Sequence, residues 1–282
     1  MRYYCVAGFV IAVRGIDNTY FNRRMIAYET EEADADIVVN YTLCDHITPP
    51  PSEQTEKRGG RAWGNDGDGY YFFDSAPDGE CVALITANAD WTTVDAKLLD
   101  VSRIGGAPTD IRSFNMVGEV FKYFIVTRGG VVLHSSSLIY NGSGIAFSAP
   151  SGTGKSTHTA LWKDMYGDDV CVINDDSPAV RLMDGVPVIY GTPWSGKSDI
   201  NANRSAPLRS VVFITRSDEN KLTPLAPRDA FVNFLSGAPN PVYGDLTELT
   251  LDIIIKILES VKAYELECCV CREAVSAAMN AI

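Results

Sequence analysis

The run Ala149-Pro150-Ser151-Gly152-Thr153-Gly154-Lys155-Ser156-Thr157 decides the reading of this chain. It fits the pattern of a phosphate-binding loop, except that Ala149 stands where the first glycine usually falls. Gly152 and Gly154 can take backbone angles other residues avoid, so successive N–H groups can turn inward to phosphate oxygens. Lys155 would neutralise β- and γ-phosphate charge, and the Ser156 hydroxyl would ligate magnesium, Mg²⁺. The context agrees: an apolar strand, Ile145 to Ser148, leads in, and a helix from about Ser156 to Met165, stopped by Gly167, leads out. A nucleoside triphosphate such as ATP would thus be held by Ser151, Gly152, Thr153, Gly154, Lys155, Ser156 and Thr157. Nothing in the run chooses ATP over GTP.

Downstream, a short apolar strand, Val170 to Ile173, ends in Asn174-Asp175-Asp176. The first of these acids lies 175 − 155 = 20 residues after the loop lysine. Strand, loop, helix and second strand would bring both strand ends to one edge of a sheet, with the acids facing the phosphates. One carboxylate can hold the metal with Ser156, and the other can take a proton from an attacking hydroxyl. The plain alternative is an acid pair at an exposed strand end, or a helix cap.

The surrounding elements narrow the class. Val131 to Tyr140 reads as a strand turning at Asn141 to Gly144 into the strand before the loop. Ala179 to Met183 and Val186 to Tyr190 form a hairpin through Asp184-Gly185. Leu208 to Thr215 is a further strand. The tail reads as a helix, Leu246 to Lys262, a strand, Ala263 to Val270, and a last helix from about Arg272 to Ile282. Such an order implies a mixed sheet rather than the mainly parallel sheet of switch GTPases. The guanine-reading Asn-Lys-x-Asp is also missing, since Asn220-Lys221 continues as Leu222-Thr223.

Residues 1–125 read as β-rich, with apolar runs at Tyr4 to Val13, Met25 to Tyr28, Ile37 to Leu43, Tyr70 to Phe73 and Cys81 to Thr86. Thr48 to Gly69 is the clearest loop; its Asp66/Asp68 spacing only faintly suits calcium, and a hairpin or surface turn is the plain reading there. Ile111 to Ile125 has a helical rhythm. The chain therefore divides into a β-rich part, 1–125, and a nucleotide-binding part, 126–282. Seven cysteines is an odd count, and a chain of this size needs no disulfide staples, so reduced thiols are expected; Cys268, Cys269 and Cys271 could ligate a metal, but the fourth ligand is wanting, with His46, His134 and His158 distant in sequence.

The stretch from Leu133-His134-Ser135-Ser136 through the loop to Asn174-Asp175-Asp176 resembles the catalytic domain of HPr kinase/phosphorylase, which shares its core with phosphoenolpyruvate carboxykinase. Tyr190-Gly191-Thr192-Pro193-Trp194-Ser195-Gly196-Lys197 looks like a segment of the HPr-kinase-like proteins found in peptide-modification gene clusters. The resemblance covers about Gly130 to Ile282. It implies an α/β fold, a mixed-sheet P-loop domain of HPr kinase/PEP carboxykinase type with a β-rich N-terminal part. It also makes His134, on the strand before the loop, a catalytic candidate beside Lys155, Asp175 and Asp176. As a lone strand histidine, His134 could equally be a core residue. Lys197 and Arg204, in a loop rich in Gly, Ser and Asn, are candidates for gripping phosphate or an acidic substrate. The family segment that handles HPr is not recognisable, nor is the carboxykinase metal-site arrangement.

The function this implies is a kinase that transfers the γ-phosphoryl group of Mg·ATP to a serine-type hydroxyl of a protein, peptide or free serine. The alternatives are a nucleotide-binding regulatory or scaffold module without turnover, and phosphorolysis or carboxykinase-like chemistry on the same core. A formal net charge of 24 − 36 = −12, with no basic run longer than a pair, disfavours nucleic acid and anionic membrane as partners. The apolar stretch Val6 to Val13 is too short to span a bilayer, so a cytoplasmic protein is expected, with a homo-oligomer left open.

Overall fold

The computed structural model describes residues 1–51, 56–58, 60–65, 67–100, 107–237 and 244–282. The chain forms two compact units, Met1–Arg128 with Pro241–Thr247, and Gly129–Asn240 with Glu248–Ile282. Each is built on a mixed sheet, so the chain is a mixed α/β protein.

Alternating apolar runs build the first sheet from β1 (Arg2–Val6), β2 (Phe9–Arg14), β3 (Glu29–Thr30), β4 (Ile37–Cys44), β5 (Glu56–Arg58), β6 (Arg61–Asn65), β7 (Gly69–Ser75), β8 (Cys81–Asn88) and β9 (Thr93–Leu99). Their order is β3-β1-β2-β4-β9-β8-β7-β6-β5, parallel only where β4 meets β2 and β9. A short helix, α1 (Thr19–Met25), is capped by Asn18, whose Oδ1 accepts the Phe21 N–H at 2.8 Å. The expected helical rhythm is α2 (Thr109–Thr127), with Phe114, Val117, Val120, Phe121 and Phe124 buried.

The reading of Thr48 to Gly69 as a loop is corrected, because β5 and β6 run through it; the hairpin expected about Asp66 and Asp68 agrees with the antiparallel pairing of β6 and β7, which closes at Asn65 and Tyr70. Arg61 and Trp63 hold β6 in place. Arg61 grips Asp74 with two nitrogens at 2.6 and 2.9 Å, and Trp63 donates to the Tyr123 hydroxyl at 2.9 Å. Asp66, half of the faint calcium spacing, lies outside the described residues.

The second unit contains β10 (Gly130–Val132), β11 (Ser135–Tyr140), β12 (Ser143–Ser148), β13 (Val170–Asn174), β14 (Ala179–Met183), β15 (Val186–Tyr190), β16 (Ser205–Arg216), β17 (Lys221–Pro224) and β18 (Lys262–Cys268). The main path is β10-β14-β15-β16-β12-β11-β13, with β18 parallel to β16 and β17 on β18. The helices are α3 (Lys155–Tyr166), α4 (Pro227–Gly237), α5 (Gly244–Ser260) and α6 (Arg272–Ala278). Buried Leu138, Phe147, Trp162, Val212, Leu266 and Val275 form a core shared by β11, β12, α3, β16, β18 and α6.

Two expectations change here. The single strand expected over Val131 to Tyr140 is broken: β10 pairs with β14, whereas β11 pairs with β12 and β13. Leu133, His134 and Ser135 donate instead to the carbonyls of Pro178, Gly237 and Asp176. His134 thus sits in the break, not on a strand. Cys269 and Cys271 form a disulfide rather than remaining thiols, because the turn after β18 brings their Cα atoms to 5.6 Å. Asn220 accepts the Cys269 N–H at 3.2 Å and stabilises that turn.

Among the described residues no helix is long and apolar enough to cross a membrane.

Candidate functional site

Strand β12 delivers the chain at Ser148 to the glycine-rich loop, and α3 opens at Lys155. Gly152 and Gly154 have φ of +78° and +122°, and a Cβ at either would meet no atom within 4 Å. Glycine is needed there for its backbone angle, not for room. Arg216, the last residue of β16, donates Nε–H to the Thr153 carbonyl at 3.0 Å, and Nη2 to the Gly152 carbonyl. In a trans peptide the N–H opposes the carbonyl, so the Gly154 N–H points away from Arg216. The first turn of α3 closes with His158 N–H on the Gly154 carbonyl at 2.9 Å. The N–H groups of Lys155, Ser156 and Thr157 therefore lack intrahelical acceptors, at the positive end of the helix dipole.

Antiparallel pairing of β11 with both β12 and β13 makes β12 and β13 run the same way, with β11 between them. The glycine-rich loop and the acids after β13 consequently leave one edge of the sheet. There Lys155, 7% exposed, donates Nζ–H to the Ala149 carbonyl at 2.9 Å and contacts His134 Nε2 at 3.0 Å. His134 Nδ1 lies 3.3 Å from Asp176 Oδ1. An ammonium only donates, so against Lys155 the Nε2 atom is the acceptor, and Nδ1 faces the Asp176 carboxylate. Burial pulls the Lys155 pKa below the ordinary lysine value, and the charges of Asp176 and Asp175 oppose that shift. His134, with its side chain 42% exposed, is not a core histidine.

Asp175 is buried and accepts Ser136 Oγ–H at 2.7 Å, and Ser136 also meets Thr159 Oγ1 on α3 at 2.7 Å. Asp176 Oδ2 accepts Ser177 Oγ–H at 2.8 Å. Between the strand and these acids stands Asn174, fully buried. Its Oδ1 accepts the N–H groups of Asp176 and Ser177 at 2.8 and 2.6 Å. Its Nδ2 donates to the carbonyl and hydroxyl of Thr192 at 2.8 and 3.0 Å. A Cβ on Gly196 would come within 3.1 Å of the Asp176 Cβ, so the segment after β15 packs against that acid.

Of the residues singled out from sequence, His134, Lys155, Asp175 and Asp176 thus fall at one sheet edge. Ser151, Ser156 and Thr157 are exposed around the loop, and Thr153 is half-buried. Lys197 and Arg204 are exposed, and their side chains make no hydrogen bond or ion pair among the described residues. Sequence reasoning missed Ser136, Asn174 and Arg216 as site residues. Asn174 could have been found, as a polar residue closing an apolar strand directly before two acids. Arg216 carries no local signal, being brought to the loop by strand pairing 63 residues away.

The donor set is of hard oxygens: the Ser156 hydroxyl and the carboxylates of Asp175 and Asp176. That chemistry fits Mg²⁺, which takes one or two carboxylates and completes its shell with water and phosphate oxygens. Asp175 Oδ2 has no hydrogen-bond partner among the described residues, which leaves it available to a cation. Among the described residues no three His, Cys, Asp or Glu side chains cluster as a self-sufficient metal cage.

No curated protein matches the chain. Among solved structures, it has a distant likeness to the Hpr(Ser) kinase/phosphatase from Coxiella burnetii. The identity is 11% and the TM-score 0.32, over 53% of this chain and 94% of that one. A family model described as "SynChlorMet cassette protein ScmC" matches residues 106–260. That stretch holds the glycine-rich loop, His134 and both acids, and it spans more than half of the 282 residues. The chain therefore belongs to the ScmC family of SynChlorMet cassette proteins.

Proposed function

We propose that this protein is an ATP-dependent kinase of HPr-kinase-like type, which phosphorylates a serine-type hydroxyl of a protein, peptide or free serine. The observation that carries the reading is the convergence of the glycine-rich loop, Lys155, His134 and the Asp175/Asp176 pair at one sheet edge. In the reading, the loop N–H groups and the α3 N-terminus hold the phosphates. Lys155 is steered to the β/γ oxygens by its contacts with Ala149 and His134. Mg²⁺ on Ser156 and one or both aspartates would neutralise phosphate charge. The acceptor oxygen attacks Pγ, a new O–P bond forms, the bond to the β-phosphate oxygen breaks, and ADP leaves. The hydroxyl proton passes to whichever of Asp175 and Asp176 faces the acceptor.

Such a site works by positioning and charge stabilisation, so Lys155→Ala should lower kcat/KM by on the order of 10²–10³. The test is a phosphate-transfer assay with Mg·ATP, L-serine and serine peptides, run on wild type and Lys155→Ala. Phosphate on an acceptor that depends on Lys155 supports the kinase. Equal turnover by both proteins would sink the mechanism. Lys155-dependent nucleotide binding with every acceptor left intact would favour a regulatory module instead.

A further inference from the structure

Beside the site, a cleft of about 410 Å³ opens in the second unit. It falls within the roughly 300–1,000 Å³ range of small-molecule pockets. Its polar lining is His134, Ser148, Thr215, Asn233, Ser236 and Glu265, drawn from β12, β16, β18, α4 and the break before β11. The incoming arm of the glycine-rich loop, Ala149-Pro150, forms part of the same wall.

Glu265 sets the chemistry of this cleft. Its Oε1 accepts Thr215 Oγ–H at 3.0 Å. No cationic side chain pairs with it among the described residues, and Glu265 is part of the cleft lining. Asn233 adds an amide whose side chain makes no hydrogen bond among the described residues. The Ser236 hydroxyl is turned to the Asn233 carbonyl at 2.8 Å. Lone carboxylates in clefts are complementary to ammonium groups, and repel carboxylates and phosphates. Position fixes the cleft's place in the reaction. A loop lysine of this kind reaches the β- and γ-phosphates, and Lys155 Nζ is 3.0 Å from His134, which lines the cleft. The cleft therefore adjoins the end from which a phosphoryl group would leave.

We infer that this cleft is the acceptor site, and that the acceptor carries a free ammonium group close to its hydroxyl, held by Glu265. Serine with its carboxyl group blocked as an amide and a peptide with an N-terminal serine share this chemistry. The inference rests on the kinase reading for what the cleft does, but not for what it binds.

The test uses the full chain and its Glu265→Gln variant. Calorimetric titration with L-serine amide, with a peptide bearing N-terminal serine, and with the N-acetylated form of each measures binding without requiring turnover. Mg·ATP titration of the same proteins reports on the nucleotide site and on folding. The expected result is binding of at least one free-amine probe, weakened by about 10- to 100-fold on N-acetylation or in Glu265→Gln, with the dissociation constant for Mg·ATP unchanged. Whichever free-amine probe binds identifies the source. In turnover the same change should appear in KM, with kcat retained. Failure of both free-amine probes, or equal binding of acetylated and free amines, overturns the inference. So does a Glu265→Gln variant that loses Mg·ATP instead of acceptor, because the cleft would then hold the nucleoside. If phosphate moves to acetylated acceptors irrespective of Glu265, the kinase reading stands and this inference falls. If free-amine binding depends on Glu265 but no phosphate moves, the cleft assignment stands and the kinase reading falls.

Discussion

Asn174 holds more of the site together than any of the charged residues around it. One fully buried amide ties the backbone of Asp176 and Ser177 to Thr192, and so fixes the turn that aims both acids. Asn174→Ala would strand those N–H groups and the Thr192 carbonyl, each a buried group costing about 1–3 kcal/mol when unsatisfied. We expect a loss of roughly 3 kcal/mol or more in urea unfolding, against little change for Lys197→Ala at an exposed position. His158 is a second residue whose surroundings have a measurable consequence. It is buried on α3, packs on Phe147 and accepts Trp162 Nε1–H at 3.1 Å, and burial pulls its pKa down to about 4. A lowered basic pKa means that the unfolded chain binds the extra proton. Stability should then fall as pH drops from 6.5 towards 4, by up to about 3 kcal/mol. His158→Gln keeps an acceptor for Trp162 and cannot titrate. Its unfolding midpoint should lose less over that interval than that of wild type, and parallel curves would refute the assignment.

Elements were legible where a strong local signal coincided with the final pairing. The hairpin of β14 and β15 was readable to the residue, because Asp184-Gly185 supplies positive φ at both turn positions, +50° and +80°. Helix α3 was readable from the glycine-rich loop and Gly167 that bound it. The break at His134 was not, because Leu133 and Ser135 continue the apolar and small-residue pattern. Only distant carbonyls, those of Pro178, Gly237 and Asp176, divert the chain. Helix α4 also escaped notice, since Pro227 to Gly237 offers only Ala230 and Phe234 as buried side chains. The site was legible in its charged members and opaque in their supports, because supports such as Ser136 and Arg216 act through tertiary contacts. Arg216 joins one element to another, and its two contacts are to loop carbonyls alone. Arg216→Ala should weaken Mg·ATP binding by about tenfold with unchanged urea stability, measured by fluorescence titration and denaturation. An unaltered affinity would show that the loop keeps its shape unaided.

At the scale of the molecule, charge is the dominant property. A chain of −12 is on average repulsive to polyanions, and the backbone N–H groups at the glycine-rich loop with Lys155 offer a local exception. It should flow through a heparin column even at low salt, and retention there would expose a basic surface not anticipated from composition. The same imbalance sharpens the problem faced by any phosphate ligand, which must find a small favourable spot on an unfavourable body. The pinning of the Gly152 and Thr153 carbonyls by Arg216 bears directly on that problem. A glycine-rich segment left loose would lose conformational freedom each time a ligand arrived, and its affinity would be lowered by that ordering. Anchored from the end of the longest strand, the segment gives up its freedom once, when the chain folds. Each later encounter then meets a cradle that is already rigid.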